Sequence, residues 1–291
     1  MKVELKNTTR KLCVIGDPVL HSKSPLIQNA MIGELGLDYI YLCQPIPRGQ
    51  GGRWLEAATV AGYAGFIATM PFKEELLPLM DQVEPFAQLC GAVNTVCIKD
   101  GKYYGYNTDG PGFLMALADL GVDPKGKRAV LLGAGGAAKA VALSLVQAGA
   151  EQVVICNRTL PKANELCKLM PGRLLPCEFT IKKLCKQMEE ADLLVNCTSL
   201  GMAGTGAEFP DLSFVEALPA GAAVCDAVYA PLETRLLKAA RARGLRTMNG
   251  LGMLVGQAVL ALEHFAGAPI DREKAKAAAL KALGRTAAPD G

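Results

Sequence analysis

The chain is poor in histidine, tryptophan and aromatic residues generally: two histidines, one tryptophan, and 5% aromatic content in 291 residues. His21 and His264 lie far apart, and the ten cysteines contain no C-x-x-C pair, so no zinc site of familiar spacing assembles and no metal is expected. Long apolar runs are lacking too. Nothing approaches the roughly eighteen uninterrupted apolar residues of a membrane span, and Met1 to Arg10 is too polar for the core of a secretory signal. A cytoplasmic protein with reduced, mostly buried thiols is expected, with no membrane partner. Charge of one sign is also missing, since 31 basic and 28 acidic residues leave +3. The basic stretch Lys182, Lys183, Lys186 is answered by Glu178, Glu189 and Glu190, and Arg241, Arg243 and Arg246 fall near an expected helix end. Both read as solvated faces, and no nucleic-acid partner is expected.

The length suffices for two domains at roughly 150 residues each, and 51% apolar with 20% charged residues suits a compact α/β protein. Short β-rich runs alternate with amphipathic stretches: strands at Leu12 to Ile15, Tyr39 to Cys43 and Gly65 to Thr69, with helices at Leu26 to Leu35 and Trp54 to Val60. A second series has strands near Ala129 to Leu132, Gln152 to Cys156, Leu193 to Asn196 and Ala222 to Asp226, with helices such as Ala137 to Gln147 and Leu160 to Leu169. Repeated β-α-β text predicts parallel sheets. Between the series, Gly101 to Tyr106 closes an expected edge hairpin and Pro111 to Leu120 reads as a helix. The final helices, Leu251 to Phe265 and Arg272 to Leu283, follow the second series and are expected to cover the first domain. The expected boundaries are 1–108 completed by 249–291, and 109–248, with a cleft between the two domains.

The sharpest local signal is Gly133-Ala134-Gly135-Gly136-Ala137-Ala138, a G-x-G-x-x-A text directly after a strand and at the mouth of a helix. Gly133 permits the tight turn, Gly135 admits a pyrophosphate to the backbone, and Ala138 lets helix pack on strand. About two dozen residues on, where an acidic residue would bind ribose hydroxyls, the next strand ends at Asn157-Arg158-Thr159, followed by Lys162. Cations there favour a 2′-phosphate over a bare ribose. The competing reading is a solvent face at a helix start, with Thr159 as the N-cap.

In the first domain, Ser22-Lys-Ser24-Pro25 lies between a strand and a helix, where open α/β sheets hold ligands. Ser24 before Pro25 also reads as an N-cap, which leaves Ser22 unexplained. Thr69-Met-Pro-Phe-Lys73 ends the third strand with a hydroxyl and then a lysine, a candidate acid or base or merely an exposed helix-start residue. Gly91-Ala-Val-Asn94-Thr95 and Gly105-Tyr-Asn-Thr-Asp109-Gly110 place an amide and a carboxylate at strand ends, where turn chemistry or helix capping by Asp109 would account for both. His21, a loop residue, and His264, in an apolar helix, have no catalytic reading, and Trp54 and Met253 read as packing residues.

These motifs, with Gly250-Leu-Gly-Met-Leu-Val-Gly-Gln257-Ala, occur in one order over nearly the whole chain, and in this the sequence resembles the shikimate dehydrogenase family. The resemblance implies an N-terminal α/β substrate domain completed by C-terminal helices, a Rossmann-type NADP-binding domain, and reversible NADPH-dependent reduction of 3-dehydroshikimate to shikimate, toward the aromatic amino acids. It implies Lys73 and Asp109 as the catalytic pair, and a substrate pocket of Ser22, Ser24, Thr69, Asn94, Asp109, Tyr229 and Gln257. It also implies cofactor contacts at Gly133, Ala134, Gly135, Gly136 and Ala137, at Asn157, Arg158, Thr159 and Lys162, and at Ala227 and Gly250. A monomer or homodimer acting on a small molecule is expected.

One departure stands out. The family usually writes Gly-x-Asn-Val-Thr before the proline and lysine, and this chain has Ile67 and Ala68 at the Asn and Val positions. The missing amide bears on the choice between shikimate and quinate. A quinate or dual-substrate relative is therefore the second reading, and a catalytically silent ligand sensor the third, although such a sensor would be expected to lose Lys73 and Asp109.

Overall fold

The computed structural model describes residues 5–284. The described chain divides into two compact units, one of residues through Thr108 together with Val255 onward, the other Asp109–Leu254. The second crossing falls inside one continuous helix, Gly250–Ala266.

The first unit runs β1 (Arg10–Gly16), α1 (Ser24–Leu35), β2 (Tyr39–Pro45), α2 (Gly51–Val60), β3 (Tyr63–Ala68), α3 (Phe72–Glu75), β4 (Gln82–Val83), α4 (Pro85–Cys90), β5 (Thr95–Lys99) and β6 (Lys102–Tyr106). Its sheet has the order β2-β1-β3-β5-β6-β4. β1 and β3 are central and carry unbroken buried runs, as strands covered on both faces do. Cys13, Ile15, Phe66 and Ala68 lie on one face, in a core with Leu55, Ala58, Phe72, Leu76 and Ala87.

Parallel pairing joins β1 to β2 and β3, but β5 is antiparallel to both β3 and β6, so this sheet is mixed rather than parallel. The expected edge hairpin is β5–β6, and it is not at the edge: the two-residue β4 pairs parallel with β6 outside it. So short a strand leaves almost no periodic signal in the sequence.

The second unit runs α5 (Asp109–Asp119), β7 (Arg128–Leu132), α6 (Gly136–Gln147), β8 (Gln152–Asn157), α7 (Leu160–Cys167), β9 (Leu174–Glu178), α8 (Ile181–Met188), β10 (Leu193–Asn196), β11 (Ala223–Asp226), α9 (Arg235–Ala242) and β12 (Arg246–Met248). Its order, β12-β11-β10-β7-β8-β9, is all parallel and reverses direction between β7 and β10. This is the six-strand arrangement of dinucleotide-binding sheets.

From Val255, α10 (Gly250–Ala266) and then α11 (Arg272–Ala282) return to the first unit. Gln28 Nε2 donates to Ala258 O at 3.0 Å and Tyr39 Oη to Phe265 O at 2.9 Å. Gly65 on β3 is small because Phe265 presses there: a Cβ would sit 2.7 Å from its Cε1 and 2.4 Å from Val96 O.

Candidate active site and dinucleotide cradle

In the first unit the chain leaves β1 for β2 on one side, while β3 lies on the other, so the strand order reverses between β1 and β3. Open α/β sheets hold ligands beyond the strand ends at such a point. Ser22 and Ser24 follow β1. Ser22 Oγ accepts from Ser24 N at 3.2 Å and lies 3.1 Å from Ser24 Oγ. Ser24 is therefore not the N-cap that its place before Pro25 suggests: it is the first helical residue, Lys23 holds the cap position without a side-chain bond, and Ser22 satisfies the Ser24 amide. Both hydroxyls thus meet at the mouth of α1.

Thr69 follows β3, with its N and Oγ1 both reaching Ile15 O, at 2.9 and 3.2 Å. The packing is close enough that a Cβ on Gly16 would overlap Thr69 Oγ1 at 2.2 Å. Lys73 is half-buried on the single turn α3, which the fully buried Phe72 anchors, and Lys73 O accepts from Val93 N at 2.9 Å. That bond ties Lys73 to the Asn94 segment.

Asn94 is 1% exposed. Its Nδ2 donates to Thr108 Oγ1 at 3.0 Å, while its Oδ1 accepts from Thr108 N and Thr95 Oγ1, both at 2.9 Å. It thereby fixes the turn just before Asp109. Asp109 is buried and opens α5, two residues before the helix start expected from Pro111, so it belongs to the first turn rather than preceding it. Asn107 Nδ2 donates to Ala92 O at 3.0 Å, stitching the same two segments together. Gln257 is buried on α10, beside the Ala258 carbonyl that Gln28 holds.

His264 stacks on Tyr106, with centroids 3.9 Å apart and planes at 22°, and burial pushes its pKa down. Trp54 packs edge-on against Tyr63 and Phe66. Neither presents reactive chemistry. Among the described residues no group of three His, Cys, Asp or Glu side chains could hold a metal ion, and all ten cysteines are free thiols.

In the second unit, Gly133 ends β7 with φ of 106°, and a Cβ there would meet Cys197 O at 3.1 Å. Backbone and packing both demand glycine. Gly135 differs: its φ is −88°, and nothing lies within 4 Å of a Cβ built on it or on Gly136. Neither strain nor protein contacts require these two glycines, and both leave the backbone at the α6 N-terminus open. Ala134 and Ala137 flank them, half-buried, and Ala138 is fully buried under α6. Gly135→Ala is accordingly expected to leave the thermal midpoint unchanged and to raise the KM for NADPH about tenfold or more; a falling midpoint would show that the fold, not the ligand, requires the glycine.

Asn157 ends β8, its Nδ2 donating to Thr159 O at 2.9 Å. Thr159 occupies the N-cap position of α7 without a side-chain bond. The side chains of Arg158 and Lys162 are exposed and make no hydrogen bond or ion pair among the described residues, unlike those of Lys183, paired with Glu178 at 2.9 Å, or Arg241, paired with Glu233 at 3.0 Å. Their donors are uncommitted, as a phosphate site requires.

Ala227 follows β11, and Gly250 is pressed on it, a Cβ there falling 2.2 Å from Ala227 O. Tyr229, two residues beyond Ala227, is half-buried and also belongs to this unit. A hollow of about 360 Å³ lined by Leu114, Ala118, Val122, Asp123 and Pro124 also belongs to this unit, but it contains none of the residues of either strand-end site.

Sequence reasoning passed over Asn196, Asp226 and Thr234, which with the partly buried Thr198 form a polar cluster at the ends of β10 and β11. The available signal was an amide and a carboxylate closing otherwise apolar strands, Leu-Leu-Val-Asn196 and Ala-Val-Cys-Asp226.

The fold and these sites define an α/β protein with a dinucleotide-binding type of sheet and a second α/β unit whose polar side chains gather where the strand order reverses. Family profiles match in chain order: the shikimate dehydrogenase substrate binding domain at residues 14–96, shikimate/quinate 5-dehydrogenase at 115–202, and the shikimate 5′-dehydrogenase C-terminal domain at 250–280. A shikimate dehydrogenase (NADP(+)) of Alkaliphilus metalliredigens is 41% identical over 272 residues, covering 92% of this chain and 95% of that one. Shikimate 5-dehydrogenase of Thermus thermophilus, solved with NADP(H) and shikimate, superposes with a TM-score of 0.82 at 39% identity, covering 94% of this chain and all of that one. A quinate dehydrogenase of Corynebacterium glutamicum, solved with NAD, superposes with a TM-score of 0.85 at 31% identity, covering 94% and 99% of the two chains. The chain belongs to the shikimate dehydrogenase family.

Proposed function

We propose that this protein is an NADP-dependent shikimate dehydrogenase that interconverts 3-dehydroshikimate and shikimate. The observation that carries the reading is the convergence of Ser22, Ser24, Thr69, Lys73 and Asn94 at the strand-order reversal of the first sheet, in a chain of this family. A polyol acid needs many directed donors and acceptors, and an analogue lacking one oxygen leaves buried groups unpaired.

Ser22 and Ser24 hold the substrate carboxylate with their hydroxyls. Thr69, Asn94 and Gln257 of the first unit and Asp109 and Tyr229 of the second are further candidate substrate contacts, and Asn94 also braces Thr108. Lys73 Nζ gives its proton to the oxygen at C3 as the carbonyl is reduced, and recovers it in the reverse direction; Asp109 is the second member of the proposed catalytic pair. Gly133 to Ala137 receive the pyrophosphate, Asn157, Arg158, Thr159 and Lys162 the 2′-phosphate end, and Ala227 and Gly250 the other end of NADP. When bound, the nicotinamide supplies the hydride. Absorbance at 340 nm, with shikimate and quinate each tested against NADP⁺ and NAD⁺, checks the reading. The shikimate–NADP⁺ pair is expected to be fastest, and a preference for quinate with NAD⁺ would overturn it.

The second reading, broader use of quinate, is favoured by Ile67. It lies in register with Val14 on β1 and Thr95 on β5 and is 5% exposed, so no amide reaches the pocket from this position. The hydroxyls nearby on the neighbouring strand side, Thr95 Oγ1 and Thr108 Oγ1, are buried and engaged with Asn94, so they do not replace the missing amide. Ile67→Asn is expected to lower the KM for shikimate relative to quinate, and an unchanged or raised value would count against this role of Ile67.

A further inference from the structure

Asn196 and Asp226 end adjacent parallel strands in register, and both are buried, at 0% and 1% exposure. Asp226 Oδ1 accepts from Asn196 Nδ2 at 2.9 Å and from Val228 N at 3.0 Å, and Oδ2 accepts from Thr234 Oγ1 at 2.7 Å. Asn196 Oδ1 accepts in turn from Thr198 N at 3.0 Å and Thr198 Oγ1 at 2.7 Å, and Nδ2 also reaches Leu200 O at 3.2 Å. Thr198 Oγ1 accepts from Leu200 N at 3.1 Å.

One carboxylate therefore organises two loops, residues 197–203 after β10 and 227–234 after β11. They meet again further out, where Ala203 N donates to Ala230 O at 2.7 Å. Burial pushes the Asp226 pKa up against the pull of its three donors. A buried carboxylate is a poor device for stability alone, since well-packed apolar residues do that at less desolvation cost. It is a good device for holding backbone in one arrangement, because each of its bonds is directional and charge-assisted.

The position of the cluster says what the arrangement is for. Sheets of this order consist of two mononucleotide-binding halves meeting at the reversal. In the half made of β7, β8 and β9, Gly133 to Gly136 follow β7 and Arg158 follows β8, which suits the phosphorylated adenosine end. β10 and β11 open the other half. We propose that Asp226, acting through Asn196 and Thr234, is the positioning residue that sets affinity for the nicotinamide half of the dinucleotide by fixing the loops after β10 and β11. The assignment rests on the NADP reading above.

Thr234→Val removes one donor at nearly constant volume, Thr234→Ser keeps it, and Asp226→Asn removes the charge. Dissociation constants for NADPH and for adenosine 2′,5′-bisphosphate, which lacks the nicotinamide half, are measured on each full-length variant by titration. Thr234→Val and Asp226→Asn are expected to weaken NADPH about tenfold, the scale of one lost hydrogen bond to a charged group, while the bisphosphate binds as to wild type. Thr234→Ser is expected to restore NADPH affinity. Thr234 also caps α9 through Leu237 N at 3.3 Å, so Thr234→Val lowers the thermal midpoint, but that loss does not change the ratio of the two affinities. If Asp226→Asn does not fold, the Thr234 pair decides. Equal weakening of both ligands, or of neither, overturns the assignment. Wild-type protein that binds neither ligand overturns the NADP reading instead, and is told apart by that.

Discussion

Lys73→Ala is expected to lower kcat by about 10²- to 10⁴-fold while the dissociation constant for NADPH stays within about twofold of wild type. The range is that of losing a positioned general acid. The turn carrying Lys73 is anchored by fully buried Phe72, and its contact with the Asn94 segment runs through the Lys73 carbonyl, which alanine retains. Thermal unfolding should barely move, and the nucleotide cradle lies in the other unit. Steady-state rates with saturating substrate, together with NADPH fluorescence titration, check the expectation. A kcat within tenfold of wild type would remove Lys73 from proton transfer, and a parallel loss of NADPH affinity would point to a damaged fold.

Arg158→Ala is expected to raise the KM for NADPH by about ten- to a hundredfold and to leave that for NADH nearly unchanged. A hydrogen bond between charged groups contributes about 1.5–3 kcal/mol, and the exposure of this guanidinium favours the lower part of the range. Lys162→Ala should act in the same direction with a smaller effect, because an ammonium meets phosphate as a point charge while a guanidinium pairs two oxygens at once. Raising salt should narrow the gap between wild type and both variants. Equal effects on both nucleotides would assign Arg158 to the pyrophosphate or to the fold rather than to the 2′-phosphate.

The legible parts of the sequence were those whose signal is local. The glycine run after Arg128 to Leu132 announces a strand, a tight turn and a helix within a dozen residues, and the structure has β7, the turn at Gly133 and α6 there. β9 was overlooked because Pro176 interrupts its text; the strand tolerates proline because it is an edge, paired only with β8. β4 and β12, of two and three residues, are too short for a period to show.

The local grouping of candidate residues was legible where a motif held them together, as with Ser22 and Ser24, and illegible where pairing across the sheet brings residues together. Asn94 gave no sign that it would clamp Thr108, which lies fourteen residues on. Asp226 and Asn196, thirty apart, meet only because β10 and β11 are neighbours in register. Ser24 shows the converse error. Its local text fits a helix cap so well that the division of labour with Ser22 was hidden until the backbone was placed.

In the proposed reaction the chain moves a hydride between C3 of shikimate and a nicotinamide. The measurement that reaches it most directly follows the deuterium of [3-²H]shikimate in a reaction with NADP⁺. The label is expected on the reduced nicotinamide, with a slower rate than for unlabelled acid; deuterium released to solvent, or no reduction of NADP⁺ at all, would rule out this hydride transfer.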